Sequence, residues 1–327
     1  MGWASPARDH ALETLRTAVG HGAELLDVAD VFGHGRAERL VGRLLREVPR
    51  DQVRIAVGVG RAPGTSTHPF AGTALRRQFE QTLENLGTDH LDVYALDRLD
   101  FGPDDEHLGD CLAQMRALRE DDHVRAVAMP APDPHHRNPE AAARRFVRLF
   151  KVIRPDIVTL RHNGLCPPIR LDGEYIADFT ARQGVGLIVR EPLALGVLSG
   201  KYDPRRPPRF GTGDSRRGHP WFTPDTLTAI EPELSRLRAR FGPDPRILVR
   251  LAVQHCLRLG EHTAVVVGAT DPEQAGAHHG PGPESTDEEA RFVDETYRRM
   301  RSRLADRLGH VPGPARARAR GARTALR

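Results

Sequence analysis

Residues 25–45 read LLDVADVFGHGRAERLVGRLL, a short apolar run that leads into an amphipathic segment. The run, AELLDVA over 23–29, lacks strict polar alternation, which is typical of strands buried on both faces of a sheet. The segment after it, AERLVGRLLREV, repeats its apolar residues at helical spacing. This stretch therefore predicts a strand followed by a helix, with Asp27 in the strand and Phe32 between the two elements.

The same strand–helix pattern repeats along most of the chain. Amphipathic stretches separate six further apolar runs, VRIAVGV (53–59), LDVYALD (91–97), VRAVAM (124–129), DIVTL (156–160), VGLIVRE (185–191) and TAVVVGA (263–269). A repeated strand–helix order predicts a parallel sheet with right-handed crossovers. Seven runs favour a (β/α)8 TIM barrel over an open doubly wound sheet, and no GxGxxG motif follows the first run. Only MGWASP precedes the first helix, so we expect a truncated or replaced first strand.

The chain is expected to form one domain. We predict a single barrel over residues 1–310, with a long loop at 200–222 that is rich in Pro, Gly and Arg. This loop follows a strand and is expected to lie over the mouth, where barrel sites are found. A disordered insertion is the alternative for the loop. Residues 311–327 include ARARARGARTALR and are expected to be a basic, disordered tail.

Composition excludes several classes of function. The net charge of +4 is modest, and no zinc-finger, RNA-binding or basic-zipper signature supports nucleic-acid binding. The 3 cysteines are widely spaced, as expected of reduced thiols in a cytoplasmic protein. With no signal peptide and no apolar run of transmembrane length, we expect a cytoplasmic protein without a membrane partner. Adjacent histidines at 135–136 and 278–279 rarely bind one ion together, so no metal site is predicted. Lysine occurs only at Lys151 and Lys201.

Four stretches together resemble the aldo-keto reductase family. Residues 25–45 resemble the family's first signature, an aspartate and a tyrosine ahead of a Gly-x-Gly-x-x-Glu helix start. Later segments of the family are similar, in the same order, to TLENLGTDHLDVYALDRLD (82–100), REPLALGVLSGKYDP (190–204) and VVVGATDPEQAGAH (265–278). The resemblance runs from about residue 11 to residue 280. It implies a (β/α)8 barrel that reduces carbonyl compounds with NADPH.

Of the four catalytic positions that the resemblance implies, one keeps the family's residue. The family takes its proton from a tyrosine assisted by a lysine–aspartate pair, and a histidine orients the carbonyl. Asp27 matches the aspartate. Phe32 stands at the tyrosine position, Gly58 at the lysine position and Asp97 at the histidine position. A phenyl ring cannot donate a proton, so the resemblance predicts a changed catalytic centre.

The resemblance also assigns the positions that hold the cofactor. Around the nicotinamide ring and at the end of the adenine helix the family's residues are replaced, by Pro130, Ala131, Thr159, Arg190 and His278. The outer part of the cofactor site matches at Leu193, Gly196, Ser199, Gly200, Lys201, Gly268, Ala269 and Gln274. We therefore expect a barrel that has lost its hold on nicotinamide and works without a cofactor. NADPH binding at the outer residues is expected only if the chain is a divergent reductase.

Charged residues stand at several of the predicted strand ends. Without a lysine partner, Asp27 is expected to have a raised pKa or to meet a new cation. The predicted acid/base groups are Asp27, Asp97 and His162, and the predicted substrate pocket contains Phe32, Arg98, Arg161, Asn163 and Arg190. Arg190 and Glu191 are adjacent, so one strand is expected to point only one of them inward. The alternative is that these charges pair with one another and close a dead pocket.

Three functions are compatible with these residues. The first, which the replaced residues favour, is a non-redox acid/base enzyme (cyclase, dehydratase, lyase or isomerase) that acts on a small oxygenated metabolite. The second is a divergent NADPH-dependent carbonyl reductase. The third is a non-catalytic relative that acts as a partner subunit or ligand sensor. Fold-level similarity favours the second, but function belongs to sites rather than to folds.

Overall fold

The computed structural model describes residues 8–29, 35–61, 66–212, 214, 216–279 and 284–308. Nine strands lie in these ranges: β1 (Leu25–Ala29), β2 (Arg54–Val59), β3 (Leu91–Leu96), β4 (Val124–Pro130), β5 (Ile157–Arg161), β6 (Arg170–Leu171), β7 (Glu174–Tyr175), β8 (Gly186–Arg190) and β9 (Thr263–Val266). Seven of them form one sheet in the order β1-β2-β3-β4-β5-β8-β9, and all neighbours are parallel. Each of the seven apolar runs contains one of these strands, so the predicted strand order is confirmed.

Helices connect the strands of the sheet. The described helices are α1 (Arg8–Gly20), α2 (Arg36–Leu44), α3 (Ala74–Leu86), α4 (Leu108–Glu120), α5 (Pro139–Ile153), α6 (Ile176–Arg182), α7 (Pro224–Phe241), α8 (Pro245–Leu257), α9 (Pro272–His279) and α10 (Asp287–Leu308). Because parallel strands require crossover connections, these helices cover the outer face of the sheet. None of the described helices combines the length and the apolar character that crossing a membrane requires.

The sheet is an almost closed α/β barrel, as the sequence predicts. Its first and last strands, β1 and β9, approach each other across a seam. Within the described ranges no hydrogen-bonded ladder joins them, and the barrel contains seven strands rather than eight. Residues 1–7, which precede α1 and bear on the expected change in the first strand, lie outside the described residues.

Two hydrophobic clusters hold the outer layer in place. The larger one lies between the sheet and the helices α2 to α5, and includes the fully buried Leu44, Phe79 and Phe146. Burying one such side chain contributes about 1.5–3 kcal/mol to folding. The second cluster packs α7, α8 and α10 around the buried side chains of Trp221 and Tyr297. It anchors the carboxyl-terminal end of the predicted mouth loop.

The predicted mouth loop, residues 200–222, folds back on itself in its described part. The rings of Tyr202 and Phe210 both pack edge-on against Phe222, with centroids 5.2 Å and 4.7 Å from it. The guanidinium of Arg216 lies 4.5 Å above the Phe210 ring. These contacts give the described part of the loop a packed apolar base beside the mouth of the barrel. The tail predicted at 311–327 lies outside the described residues.

Candidate active site

A large cavity opens at the carboxyl ends of the strands, and its volume is about 2820 Å³. Ordinary small-molecule sites have volumes of roughly 300–1,000 Å³, so this cavity exceeds what a small metabolite needs. Asp27, Asp97, Arg161 and Arg190 line its inner end. Residues after β8 and at the start of α9 line its outer end. The inner charged residues and the outer cofactor candidates therefore face one continuous space.

Arg190 connects two carboxylates at the inner end. This residue ends β8, and its Nη2 donates to Oδ1 of Asp27 at 2.7 Å. Its Nη1 donates to Oδ1 of Asp97 at 2.8 Å. The Asp27 side chain is 15% exposed and that of Asp97 is 6% exposed. Bonds of this length between charged partners belong to the strong class. Asp27 therefore meets a new cation in place of the family's lysine.

Glycine at position 58 makes room for the Asp97 carboxylate. A Cβ added to Gly58 would lie 2.7 Å from Cγ and from both carboxylate oxygens of Asp97, well inside van der Waals contact. The Asp97 backbone N–H donates to the Val59 carbonyl at 2.9 Å, which fixes the residue just beyond β3. Nε of Arg61 donates to Oδ2 of Asp97 at 3.1 Å. Asp97 is thus held between Arg61 and Arg190, above the position where the resemblance places a lysine.

Burial raises the pKa of Asp27 above its ordinary value. The charge of Arg190 and its hydrogen bond act in the opposite direction, and the nearby charge of Asp97 raises the pKa further. Desolvation is the largest of these effects because the charged form loses its hydration. The Asp27 carboxyl therefore keeps its proton to a higher pH than an exposed aspartate. A carboxyl of this kind is suited to deliver a proton to a substrate oxygen.

A second arginine lies beside the first at the inner end. Arg161 and Arg190 are register partners on β5 and β8. Nε of Arg161 is 3.3 Å from Oε2 of Glu191, and its Nη1 is 3.6 Å from Oδ1 of Asp133. Glu191 follows β8 with a left-handed φ of 63° and lines the same cavity as Arg190. The expectation that only one of these neighbours points inward is wrong, because strand alternation ends at Arg190.

His162 does not take part in the cavity, contrary to the prediction of an acid/base role. Its ring stacks on that of His255 on α8, with centroids 5.1 Å apart, and it is not among the residues that line the cavity. Burial and the neighbouring His255 lower the pKa of His162 to about 3. The physical reason is a tertiary contact, because the ring of His162, one residue beyond β5, packs against α8 instead of entering the cavity.

Asn163 belongs to the framework of the barrel rather than to the predicted substrate pocket. It is fully buried, its Nδ2 donates to the Glu191 carbonyl at 3.0 Å, and its Oδ1 accepts the Leu165 N–H at 2.9 Å. These bonds connect the ends of β5 and β8. Arg98 does line the cavity, but its guanidinium is hydrogen-bonded to Asp100.

The outer end of the cavity brings together seven of the eight outer cofactor positions that were predicted from the sequence; Gly200 does not line it. The seven are Leu193, Gly196, Ser199, Lys201, Gly268, Ala269 and Gln274. Three consecutive residues with left-handed φ, Ala194 to Gly196, coil the chain before Lys201. Burial lowers the pKa of Lys201, and the charge of Arg216 lowers it further. Arg216 is itself paired with Asp214, so the Lys201 amine is left to favour an anionic ligand there.

No tyrosine has taken over the position of the family's proton donor within this cavity. All four tyrosines lie in the described ranges and none lines the cavity: Tyr94, Tyr175, Tyr202 and Tyr297. Of the two lysines, only Lys201 lines it, at the outer end. Phe32 lies outside the described residues. The described side chains also contain no group of three or more His, Cys, Asp or Glu residues placed to hold a metal ion.

The sequence analysis missed three charged residues of the inner end, Arg61, Asp133 and Glu191. Arg61 closely follows Gly58 in the sequence, and an arginine next to a vacated lysine position could have drawn attention to it. Glu191 was set aside because strand alternation was extended one residue too far. Nothing in the sequence around Asp133 (PAPDPHH, 130–136) indicates that it contacts Arg161, because that contact depends on how the loop after β4 folds.

Comparison with known proteins finds relatives at low sequence identity. L-galactose dehydrogenase of Arabidopsis thaliana is 22% identical over 274 residues, which cover 82% of this chain and 76% of the relative. NADH-specific methylglyoxal reductase of Escherichia coli is 21% identical over 279 residues, 82% of this chain and 81% of the relative. The solved structure of a glycerol dehydrogenase from Gluconobacter oxydans matches with a TM-score of 0.72 and 22% identity, over 96% of this chain and 90% of that one.

At such identities the structural likeness supports the fold alone, which agrees with the barrel described above. The family assignment has a separate basis. The model of the aldo/keto reductase family matches residues 1–283 of the 327 in this chain. Since that match covers most of the sequence, this protein belongs to the aldo/keto reductase family.

Proposed function

We propose that this chain is an oxidoreductase that binds a pyridine nucleotide along the large cavity and acts on a small carbonyl compound at the inner end. The observation that carries the proposal is the continuity of the cavity, which joins the outer cofactor residues to Asp27, Asp97 and Arg190. Relatives named L-galactose dehydrogenase and NADH-specific methylglyoxal reductase support the same class of reaction. This is the alternative that the sequence analysis ranked second.

The outer end fits the diphosphate half of such a nucleotide. Lys201 and Arg216 line it, and Lys201 makes no ion pair with an acid of the described chain. A Cβ on Gly196 would lie 3.6 Å from Cε and 3.7 Å from Nζ of Lys201, so the lysine amine lies directly over this glycine. Gln274, on the first turn of α9, closes the same end. Ammonium and guanidinium groups are the donors that phosphate oxygens require.

The inner end fits the nicotinamide ring with a different side chain from the family's. Arg190 stands where the resemblance places an aromatic stacking ring. Its guanidinium is bonded in its plane to Asp27 and Asp97, and its remaining N–H groups are assigned below to the substrate oxygen, so no stacking role is proposed for it. Thr159 lines the cavity as well, and its hydroxyl is a hydrogen-bonding group for the carboxamide.

The positions of the family's catalytic tyrosine, lysine and histidine hold other residues here. In this proposal another group must therefore donate the proton. When bound, a reduced pyridine nucleotide supplies the hydride for the carbonyl carbon. The chain must deliver a proton to the carbonyl oxygen, and we assign this role to the carboxyl of Asp27, whose pKa is raised by burial. Arg190 orients that carboxyl, and the N–H groups that its two aspartates leave unused stabilise the developing oxyanion. Only the aspartate of the family's four catalytic residues remains in this proposal.

A second candidate is the non-redox acid/base enzyme, and one observation favours it. Asp27 and Asp97 flank a single guanidinium, and the Asp97 carboxylate fills the space above Gly58. Two carboxyls in different environments can serve as acid and base on one substrate. Such a pair removes a proton at one atom and returns it at another without a nucleotide.

Nucleotide binding tests the proposal first. We expect NADPH or NADH to bind the purified protein in calorimetry and, at 100 times its Kd, to add about 2.7 kcal/mol of stability in a melting experiment. The chain offers a matched pair of variants because it has only two lysines. Lys201→Ala is expected to weaken binding, whereas Lys151→Ala, on the outer helix α5, is expected to leave it unchanged.

Turnover then separates the two candidates. A panel of aldehydes and ketones with NADPH or NADH reports hydride transfer through loss of the reduced nucleotide's absorbance. Nucleotide binding together with turnover supports the oxidoreductase. If neither nucleotide binds, the oxidoreductase is excluded and the acid/base candidate takes its place. In that case Asp97→Asn must abolish the reaction found, and a variant with full activity would remove Asp97 from the mechanism.

A further inference from the structure

The two arginines at the inner end of the cavity differ in how their donors are used. Arg190 makes two short hydrogen bonds to carboxylates, at 2.7 Å and 2.8 Å. The guanidinium of Arg161, its register partner on the neighbouring strand, donates no hydrogen bond of ordinary geometry to any residue of the described ranges. Its contacts with Glu191 and Asp133, at 3.3 Å and 3.6 Å, are ion pairs without aligned donors. The buried Nε atoms of both arginines lack a hydrogen-bond partner there, so the difference between them lies in the two Nη groups, which are bonded in Arg190 and not in Arg161.

A guanidinium with unpaired donors of this kind can bind an anion whose acceptor atoms are better placed than those of its present neighbours. A carboxylate with two coplanar oxygens matches the fork of an arginine and binds it through two parallel bonds. Leaving buried donors unpaired is unfavourable, so a ligand that completes their hydrogen bonds is favoured. In the free protein, Asp133 and Glu191 place carboxylates near the Arg161 guanidinium. Neither carboxylate accepts a well-aligned hydrogen bond from it.

The groups that face Arg161 allow a ligand carboxylate to replace those of Asp133 and Glu191. The Asp133 and Glu191 side chains are 44% and 30% exposed, so both can turn toward water when a ligand enters. Burial lowers the pKa of His219 to about 4, and its Nδ1 already accepts the Trp221 N–H. Cys166 is buried, and burial raises the pKa of its thiol, so it stays uncharged. No third carboxylate of the described chain contacts Arg161.

We propose that Arg161 binds the carboxylate of the substrate, so that the enzyme acts on a short oxo acid. This inference rests on the proposed function, because it places the reacting carbonyl next to Asp27 and Arg190. Neighbouring strands are about 4.8 Å apart, a separation that a carboxylate and an adjacent carbonyl span. The substrate's carboxylate takes the place that Asp133 and Glu191 hold in the free protein. Arg161 is then a specificity-determining residue, and Arg190 is left to the reacting oxygen.

The test compares binding of matched charged and neutral ligands by calorimetry, without turnover. Pyruvate and pyruvamide share a skeleton and differ in the carboxylate, and longer oxo acids up to 2-oxoglutarate extend the series. We expect pyruvate or a longer oxo acid to bind at least 10-fold more tightly than its amide. Arg161→Gln is expected to remove this preference. Arg182→Gln, at an exposed arginine that is paired with Glu174 and does not line the cavity, serves as the matched control and should keep it.

A second variant is expected to tighten oxo-acid binding instead of weakening it. A folding defect could not produce that effect. Asp133→Asn removes a competing carboxylate, so it should tighten oxo-acid binding by about 2- to 10-fold, in line with loss of one weak, half-exposed ion pair. Equal binding of acid and amide, binding of no oxo acid in the series, or weaker binding in Asp133→Asn would overturn the proposal. The proposed function fails separately, through absence of nucleotide binding. An oxo-acid preference without nucleotide binding would leave the Arg161 site standing and exclude the oxidoreductase.

Discussion

Gly58 shows how the absence of one side chain shapes the inner end of the cavity. The space next to its Cα holds the Asp97 carboxylate, which touches the place where a Cβ would stand. Asp97 can therefore bond Arg190 on one oxygen and Arg61 on the other. The replacements at positions 58, 97 and 190 depend on one another through direct contact, and they are best understood as one unit.

Gly58→Ala tests this unit at the residue scale. The added methyl group would force the Asp97 carboxylate away and strain its bonds to both arginines, and overpacking of this kind costs about 1–3 kcal/mol. Urea unfolding would measure the loss. Gly109→Ala on α4 is the matched control, because a Cβ there meets no atom within 4 Å. In a helix that change should stabilise by up to about 1 kcal/mol. Equal effects in the two variants would contradict the account.

Asp27 should make stability depend on pH in a defined direction. Its pKa in the folded protein is raised above the ordinary 3.8, so the folded state holds a proton that the unfolded chain has already released. The contribution of this group is therefore fully present below the ordinary aspartate pKa and is lost as pH rises through the raised value. Urea unfolding of the wild type and Asp27→Asn from acid to neutral pH should show a difference that changes in this sense. A constant difference would rule out the raised pKa.

The same carboxyl should govern the pH dependence of catalysis. If Asp27 delivers the proton, carbonyl reduction should slow as pH rises through its pKa, because the protonated form disappears. Asp27→Asn should lower the rate by about 10²- to 10⁴-fold and remove this step from the pH profile. Steady-state rates across the same pH range would measure both effects. A variant that keeps the wild-type profile would assign the proton to another group.

At the scale of elements, a buried carboxylate joins α2 to α3. Glu38 is 1% exposed, and its two oxygens accept hydrogen bonds from the Thr82 hydroxyl at 2.7 Å and from Nδ2 of Asn85 at 2.6 Å. Glu38 is the glutamate of the Gly-x-Gly-x-x-Glu pattern in the sequence. Its position therefore has a structural use, the attachment of the helix that follows β1 to its neighbour.

Thr82→Val should show how much the hydrogen bond to Glu38 contributes to the free energy of unfolding. Valine has nearly the same shape but no hydroxyl, so one buried carboxylate oxygen loses its donor, at a cost of about 1–3 kcal/mol. Thr228→Val, at an exposed helical threonine on α7, should change stability by no more than about 0.5 kcal/mol. Chemical denaturation of both variants measures the contrast. A loss in Thr82→Val no greater than that of the control would show that Glu38 finds another donor.

The strands of the sheet could be predicted from sequence much better than the site. Each of the seven strands of the large sheet is a short run rich in Val, Ile, Leu or Ala, and that pattern is local. The orientation of single residues at strand ends was predicted less well. His162 and Glu191 were both misjudged, because alternation fixes side-chain direction only while the strand lasts. Glu191 already has a left-handed φ, one residue beyond β8.

At the scale of the whole molecule, we expect the seam between β1 and β9 to be the weakest part of the barrel. β9 has no buried residue although its sequence is apolar, whereas every residue of β3 is buried. In the described chain no ladder joins β9 to β1, so one edge of each strand lacks backbone partners from the sheet. Unpaired edges and exposed apolar side chains make local opening easier.

Hydrogen exchange should reveal this difference. Amide protons of β9 are expected to exchange by local opening at free energies below the global value, while those of β3 exchange only through global unfolding. Mass spectrometry of peptides covering 263–266 and 91–96 would measure both. Equal protection of the two strands would mean that the seam is closed by residues outside the described ranges.

By itself the sequence determined the class of fold, because apolar runs and amphipathic segments encode strands and helices locally. It also determined that the chain has only two lysines and four tyrosines. Only the tertiary structure decided how the remaining charges pair. Arg190 meets Asp27 and Asp97 across intervals of 163 and 93 residues, and the barrel brings these residues together because its strands end on one rim. Contacts across such distances depend on closure of the sheet and leave no pattern in the local sequence.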